Sequence, residues 1–354
     1  MSNTAASKTN PGNFFEDFRL GQTIRHATPR TVTAGDVAVY QAIFGPRFAV
    51  QSSDVFAKKI GYRQAPLDDL LVFHVVFGKT VPDISLNAVA NLGYADCRFL
   101  KPVYPGATLS ATSEVIGLRE NANRKTGIVY VRSRGFDETG DCVLDYVRWV
   151  MVAKRDEAAP APPETVPQLP KAVEPARLGS ACPRIDTAAY DNVLAGSAHR
   201  FGDYKPGDKI DHVAGVTVED AEHMMATRLY QNTARIHFDH FTASQGRFGK
   251  RLIYGGHAMS LARALSFNGL GNAFHVAAIN GGRHVAPLFA GLTVFAWSQV
   301  LACADLPGRS DVGALRLRTI ATKDKPCTEF PSKTGEDYDA AVILDLDYWV
   351  LMPR

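Results

Sequence analysis

The chain is short of several things, and each shortage excludes a class of protein. No apolar run among its 354 residues is long enough to span a bilayer, and the opening MSNTAASKTNPGNFF lacks the apolar stretch of a signal peptide. Cysteines are few and odd in number (Cys97, Cys142, Cys182, Cys303 and Cys327), with no Cys-x-x-Cys pair. That argues against a disulfide framework and for reduced thiols. The formal charge is only +3 and no Lys/Arg block occurs, so the sequence offers nucleic acid no footprint. Histidines occur at 237, 240 and 257, but without HExxH spacing or a supporting carboxylate pattern, and no metal site is expected. These absences predict a soluble, cytoplasmic protein with neither a nucleic-acid nor a membrane partner. With 46% apolar and 21% charged residues, the length suffices for two ordinary globular domains.

What the chain does have is a repeat. FEDFRLG, ending at Gly21, returns as FGDYKPG, ending at Gly207, an offset of 186. Arg98, Pro102, Gly106, Thr108, Ser113 and Val115 recur at an offset of 185 as Arg283, Pro287, Gly291, Thr293, Ser298 and Val300. LDYVRWV, from Leu144, is answered by LDLDYWV, from Leu344. Two copies of one unit follow, not a solenoid, which needs at least about three repeats. Between them, residues 156–176 hold six prolines and almost no large apolar side chain, the composition of an extended linker. The expected division is residues 1–155, linker 156–176 and residues 177–354.

Within each copy, Thr33-x-x-Asp36 and Thr217-x-x-Asp220 read as capping boxes ahead of a first helix. A second helix is expected near 68–78 and 257–268, apolar nearly all round, as a buried helix would be. Strands are expected at 94–99, 108–116, 127–136 and 143–153, with counterparts in copy two and about 14 extra residues around 323–337. Helix first, then an antiparallel meander, predicts α+β copies whose sheets each wrap a central helix. They should pair back to back into one sheet. Trp149 and Trp349 occupy equivalent strand positions and read as packing residues.

RFLKPVYPGATL (98–109) and RHVAPLFAGLTV (283–294) resemble the strand-entry signature of hot-dog folds, and the whole chain resembles a fused pair of MaoC-like dehydratase units, a tandem (double) hot-dog fold. Its length, linker and YQNTARIHFD (230–239) are particularly similar to the mesaconyl-CoA hydratase branch of that family. The resemblance implies an acyl-CoA substrate, no cofactor, and reversible addition of water to an enoyl-CoA, with mesaconyl-CoA (2-methylfumaryl-CoA) as substrate and β-methylmalyl-CoA as product. A homo-oligomer remains open, as do two other readings: a hot-dog thioesterase and a non-catalytic acyl-CoA binding protein.

In the family the active copy carries Gly-Asp-x-Asn-Pro-x-His, which places an acid–base pair on one loop. Copy one has Pro46 and Gln51 at those two positions, neither titratable, so copy one is expected to be catalytically empty. Copy two keeps His237 but has Asn232 for the Asp, and an amide can orient water without accepting its proton. Asp239 is expected to cap or face solvent. Gly255 and Gly256 precede the copy-two helix, where free backbone N–H groups could hold a thioester oxygen. Copy one has Pro66, Asp68 and Asp69 there instead. Arg235, two residues before His237, is a candidate for pairing with a substrate carboxylate.

Overall fold

The computed structural model describes residues 8–354; the first seven residues of the segment read above for a targeting signal lie outside the described residues. Copy one contributes five strands: β1 (Thr23–Thr31), β2 (Ala88–Phe99), β3 (Thr108–Glu120), β4 (Thr126–Phe136) and β5 (Cys142–Ala153). Copy two contributes β6 (Lys209–Asp211), β7 (Val216–Thr217), β8 (His275–His284), β9 (Thr293–Asp305) and β10 (Val312–Lys323), a small hairpin of β11 (Lys333–Thr334) and β12 (Asp337–Tyr338), and β13 (Val342–Pro353). Alternation makes these strands two-faced. Along β3, Leu109, Ala111, Ser113 and Val115 are buried while their neighbours keep some exposure.

All but the small hairpin join one sheet in the order β1-β3-β4-β5-β2-β8-β13-β10-β9-β6, with β7 also on β9. The copies meet where β2 pairs antiparallel with β8 through Cys97 opposite Ile279 and Arg98 opposite Ala278. The expected continuous sheet is present. Each half wraps a helix, Asp69–Thr80 in copy one and Gly255–Leu265 in copy two, and almost every residue of both is buried. The extra residues of copy two form the β11–β12 hairpin, beside which Phe330 packs on Trp297 and Pro331 accepts the Trp297 indole N–H.

Of the two expected capping boxes, only one forms. Thr33 accepts from Asp36 N, and the Asp36 carboxylate accepts from Thr33 N. In copy two the helix starts at Asp220 behind an uncapped Glu219. Thr217 instead lies in β7, its hydroxyl 2.9 Å from that of Thr293, just as Thr31 meets Thr108 at 2.7 Å in copy one. Thr217 is therefore the counterpart of Thr31 at offset 186, and the Thr33 position holds Glu219. Strand pairing claims Thr217, and Asp220 turns to Arg251 at 2.9 Å.

The linker lies along the sheet rather than away from it. Thr165 bridges to Leu118 with two backbone hydrogen bonds of 2.9 Å. Val173 donates its N–H to Asn280 and accepts the indole N–H of Trp349. Trp349 is buried there and Trp149 stacks on Tyr130, so both tryptophans are packing residues.

Two polar networks follow the repeat. His26 bonds to Ser113, which bonds to Ser133; His212 bonds to Ser298, which bonds to Thr319. The other nitrogen of His26 meets Asp83 at 2.7 Å, a Ser-His-Asp constellation in outline. Ser113 is 1% exposed, however, and copy two keeps the pair with the Asn268 carbonyl in place of the carboxylate. A network made in both copies around a sealed hydroxyl is packing, not a nucleophile. Across the axis relating the copies, Ser260 accepts or donates at 2.9 Å to the imidazole of His74 and receives the Tyr40 hydroxyl at 3.0 Å. His74 and Ser260 occupy the same position of the two copies, at offset 186.

Candidate active site

Copy one has filled its own site. Gln51, at the position of His237, is buried and donates to the Phe274 carbonyl at 2.6 Å. At the start of its central helix Asp68 accepts the N–H of Leu70, which occupies a free-donor position, at 2.9 Å. Asp69 reaches across to copy two and accepts from Val276 N and His275 Nδ1, both at 2.8 Å. The Leu70 N–H, at the position of Gly256, is therefore taken.

The same helix end in copy two is open. Tyr254 replaces Asp68 at offset 186 and offers no side-chain cap, so the N–H groups of Gly255 and Gly256 keep no partner among the described residues. Both positions admit only glycine. A Cβ on Gly255 would lie 2.4 Å from the His284 ring, and one on Gly256 would lie 2.3 Å from the Tyr254 ring and 2.4 Å from that of His74. Unmet N–H groups at a helix start, with the dipole behind them, form a site for negative charge.

His237 sits in the short helix Arg235–Phe238, its ring centroid 5.6 Å from that of Tyr254. Its Nδ1 is 2.8 Å from the Leu252 carbonyl, which can only accept, so Nδ1 carries the proton and Nε2 is left as a free base. Burial pushes its pKa below the usual histidine value, and the Leu252 bond pulls partly back. At neutral pH the imidazole is uncharged and able to take a proton.

Asn232 is buried beside it in sequence but is not hydrogen-bonded to it. Its Oδ1 accepts from Ala234 N at 3.1 Å, a turn that fixes the amide and leaves Nδ2 as a donor without a partner among the described residues. Asn232 lines a cavity of about 320 Å³ together with Met224, Thr227, Arg228 and Phe238. His237 and the glycines are not part of that lining. The loop before Asn232 is held from the other copy: Gln231, at φ +53°, accepts through its side chain from the buried Lys79 ammonium of copy one.

Arg235 is exposed, and no carboxylate among the described residues lies within salt-bridge distance of it. Arg228, also exposed, reaches the cavity beside Asn232. Asp239 caps the next short helix by accepting from Thr242 N at 3.1 Å, the capping role expected of it.

Sequence reasoning passed over three side chains that the fold brings to this place: His223, Tyr254 and His284. His223 accepts from Tyr254 N at 2.9 Å and meets the rings of His237 and His257 edge-on at 6.0 and 5.4 Å. Among the described residues no cluster of His, Cys, Asp or Glu is arranged to hold a metal ion. A signal for these residues existed in the repeat itself. At offset 186, Val37, Gln51, Asp68 and Leu71 of copy one become His223, His237, Tyr254 and His257, and at offset 185 Phe99 becomes His284. Copy two has turned a mostly apolar wall into a row of imidazoles.

Comparison with known proteins agrees with this geometry. A family model described as mesaconyl-CoA hydratase matches residues 3–334. The β-methylmalyl-CoA dehydratase of Chloroflexus aurantiacus is 61% identical over 350 residues, 99% of each chain. The mesaconyl-CoA hydratase of Cereibacter sphaeroides is 58% identical over 352 residues, 98% of this chain and all of the other. Among solved structures, a MaoC-domain dehydratase from C. aurantiacus superposes with a TM-score of 0.96 at 61% identity, covering 99% of both chains. A double hot-dog protein from Mycobacterium tuberculosis superposes at 0.74 with 25% identity, covering 97% of this chain and 99% of that one. With two copies sharing one sheet and the matches running over nearly the whole chain, this chain belongs to the mesaconyl-CoA hydratase family of double hot-dog, MaoC-like proteins.

Proposed function

We propose that this chain is a hydro-lyase that reversibly adds water across the double bond of mesaconyl-CoA to give β-methylmalyl-CoA, with copy two as its one working site. The observation that carries the reading is the pairing of a neutral His237, its Nε2 free, with a copy-two helix start that has no side-chain cap, so that the Gly256 N–H is open where Asp68 takes that of Leu70 in copy one. His237 Nε2 takes a proton from water while the hydroxide oxygen bonds to the β-carbon, and the electron pair of the double bond moves onto the thioester oxygen. Gly255 and Gly256 hold that oxygen. The enolate collapses as the imidazolium returns its proton to the α-carbon, so one water has been added and His237 is neutral again. Asn232, with only a donor to offer, positions the water oxygen through Nδ2 and takes no proton.

The substrate carries a carboxylate on its β-carbon, and burying that charge unpaired would be costly. Arg235 is assigned to it, being unpaired and two residues from His237, with Arg228 on the cavity wall as the competing cation. The five free thiols fit a cytoplasmic setting.

The test is a spectrophotometric assay with mesaconyl-CoA, crotonyl-CoA and a saturated acyl-CoA. Loss of enoyl absorbance without thiol release is expected, with mesaconyl-CoA favoured, and Arg235→Met should erode that preference by lowering kcat/KM for mesaconyl-CoA alone. Thiol release would instead identify a thioesterase, and binding without turnover a carrier.

A further inference from the structure

Resting on that reading, we infer that His284 is a second catalytic residue, a neutral imidazole whose Nδ1–H joins the Gly255 and Gly256 N–H groups on the thioester oxygen, and that Tyr94 of the silent copy fixes the tautomer that makes this work.

The placement comes from the helix end. A Cβ built on Gly255 would lie 2.4 Å from Cε1 of His284 and 2.6 Å from both Nδ1 and Nε2, so the imidazole packs edge-first against the first residue of the central helix. Whatever oxygen those N–H groups receive is received beside this ring. The position is also one where the copies diverge in chemistry: the matching residue of copy one, whose helix end is capped by Asp68, is Phe99.

The tautomer follows from proton counting. His284 Nε2 lies 3.3 Å from the Tyr94 hydroxyl, and its Nδ1 has no partner among the described residues. Tyr94 is 2% exposed and finds no other hydrogen-bond partner among the described residues. If the imidazole donated to it, the phenol proton would be left buried and unmet; if the phenol donates, that buried proton is used and only the proton of the half-buried imidazole remains to be met. Burial keeps the phenol protonated. The imidazole proton then lies on Nδ1, on the open side. Burial, reinforced by the nearby charge of His237, pushes the His284 pKa down to about 4, so at neutral pH the ring is an uncharged donor. A histidine held neutral beside a helix N-terminus polarises a carbonyl without giving up its proton, the arrangement known from triosephosphate isomerase.

Tyr94 thus acts through His284 and is a positioning residue. It lies on β2, the strand of copy one that pairs with β8, so the silent copy reaches the working site through the seam between the sheets.

The test compares three variants of the full chain. His284→Phe installs the copy-one residue and removes the donor, His284→Gln retains an N–H, and Tyr94→Phe frees the tautomer. Removing an oxyanion donor typically costs about 10²–10³ in kcat, and that loss is expected for His284→Phe with KM changed only a few-fold. His284→Gln should recover part of it, and Tyr94→Phe should lose about 10-fold in kcat. The second readout is the absorbance of bound enoyl thioester in the His237→Ala background, where substrate binds without turnover. Polarisation of the carbonyl shifts that band to longer wavelength, and the shift should shrink when His284→Phe or Tyr94→Phe is added. A kcat near wild type in His284→Phe, or a lost kcat with the full spectral shift retained, overturns the inference. Should His284→Phe fail to fold, an unchanged kcat and spectral shift in both His284→Gln and Tyr94→Phe would overturn it equally. A wild-type protein that hydrates no enoyl-CoA would sink the underlying function instead, a separate result.

Discussion

At the scale of single residues, the site depends on which nitrogen carries which proton. His237 gives Nδ1–H to Leu252 and keeps Nε2 bare, and burial holds its pKa below the ordinary histidine value. A base works only while unprotonated, so kcat/KM should be level at pH 7 and fall only once the pH drops below about 6.5, the unperturbed value. His237→Ala should lose about 10²–10⁴ in kcat/KM and show no such acid limb in what remains. A limb lying above pH 6.5 in the wild type, or near-normal turnover in the variant, would assign the base elsewhere. The positions of His237 and Asn232 were readable because both fall in a motif that the repeat aligns. His284 was not, because RHVAPL reads as a landmark of the fold, and only its divergence from Phe99 and its contact with Gly255 give it a chemical meaning.

Among elements, the two central helices differ most at their first turns. Asp68 caps the copy-one helix but sits beside Asp69, and burial, with that neighbouring charge, raises its pKa to about 6. A carboxyl whose folded pKa is raised binds its proton more tightly folded than unfolded. Its contribution is therefore fully present below about pH 4 and lost as pH climbs through about 6. Asp68→Asn keeps an oxygen for Leu70 N and removes the charge. It should stabilise the protein at pH 8 by about 1–2 kcal/mol, trimmed from the full shift because the side chain keeps some exposure, and by nothing at pH 4. Urea midpoints at the two pH values check this; an equal change at both would point to packing. Strands and central helices were legible in the sequence because period-two alternation and an all-apolar helix leave strong traces. The copy-two capping box was misread because Thr217 and Asp220 fit the pattern while strand pairing with Thr293 had already claimed Thr217. Local propensity does not see a partner 76 residues away.

For the whole molecule, the interior is a buried store of uncharged histidine. Burial pushes His74 and His257 to about 3, His223 to about 2 and His212 to about 4, and the mutual charge of the cluster lowers His74 and His223 further. Unfolding frees each to bind a proton below about pH 6.5, so the unfolded chain takes up more protons than the native one as pH falls. Stability present above that pH is lost on acidification, at up to about 1.4 kcal/mol per pH unit for each histidine. That outweighs the opposite drift from Asp68. Between pH 7.5 and 5 the urea midpoint should fall steeply, with net proton uptake on unfolding; a flat profile would show that these imidazoles already find water in the native state.

The His74–Ser260 contact has a consequence for the history of the chain. Two identical subunits related by a dyad must place the same side chain on both sides of it, so a position facing its own copy could only be His against His or Ser against Ser. Two buried imidazoles there would compete over which donates, and two serines would leave a gap where one ring now fits. Once both halves were written into one gene, the two sides could mutate separately, and an unlike pair became available to a single fold. The same freedom sets Gln51 in one half at the position of His237 in the other, and lets Tyr94 and Lys79 of the first reach into the second. Fusion here looks less like tethering than like a licence for asymmetry, and undoing it by separating the genes would leave each half half-written.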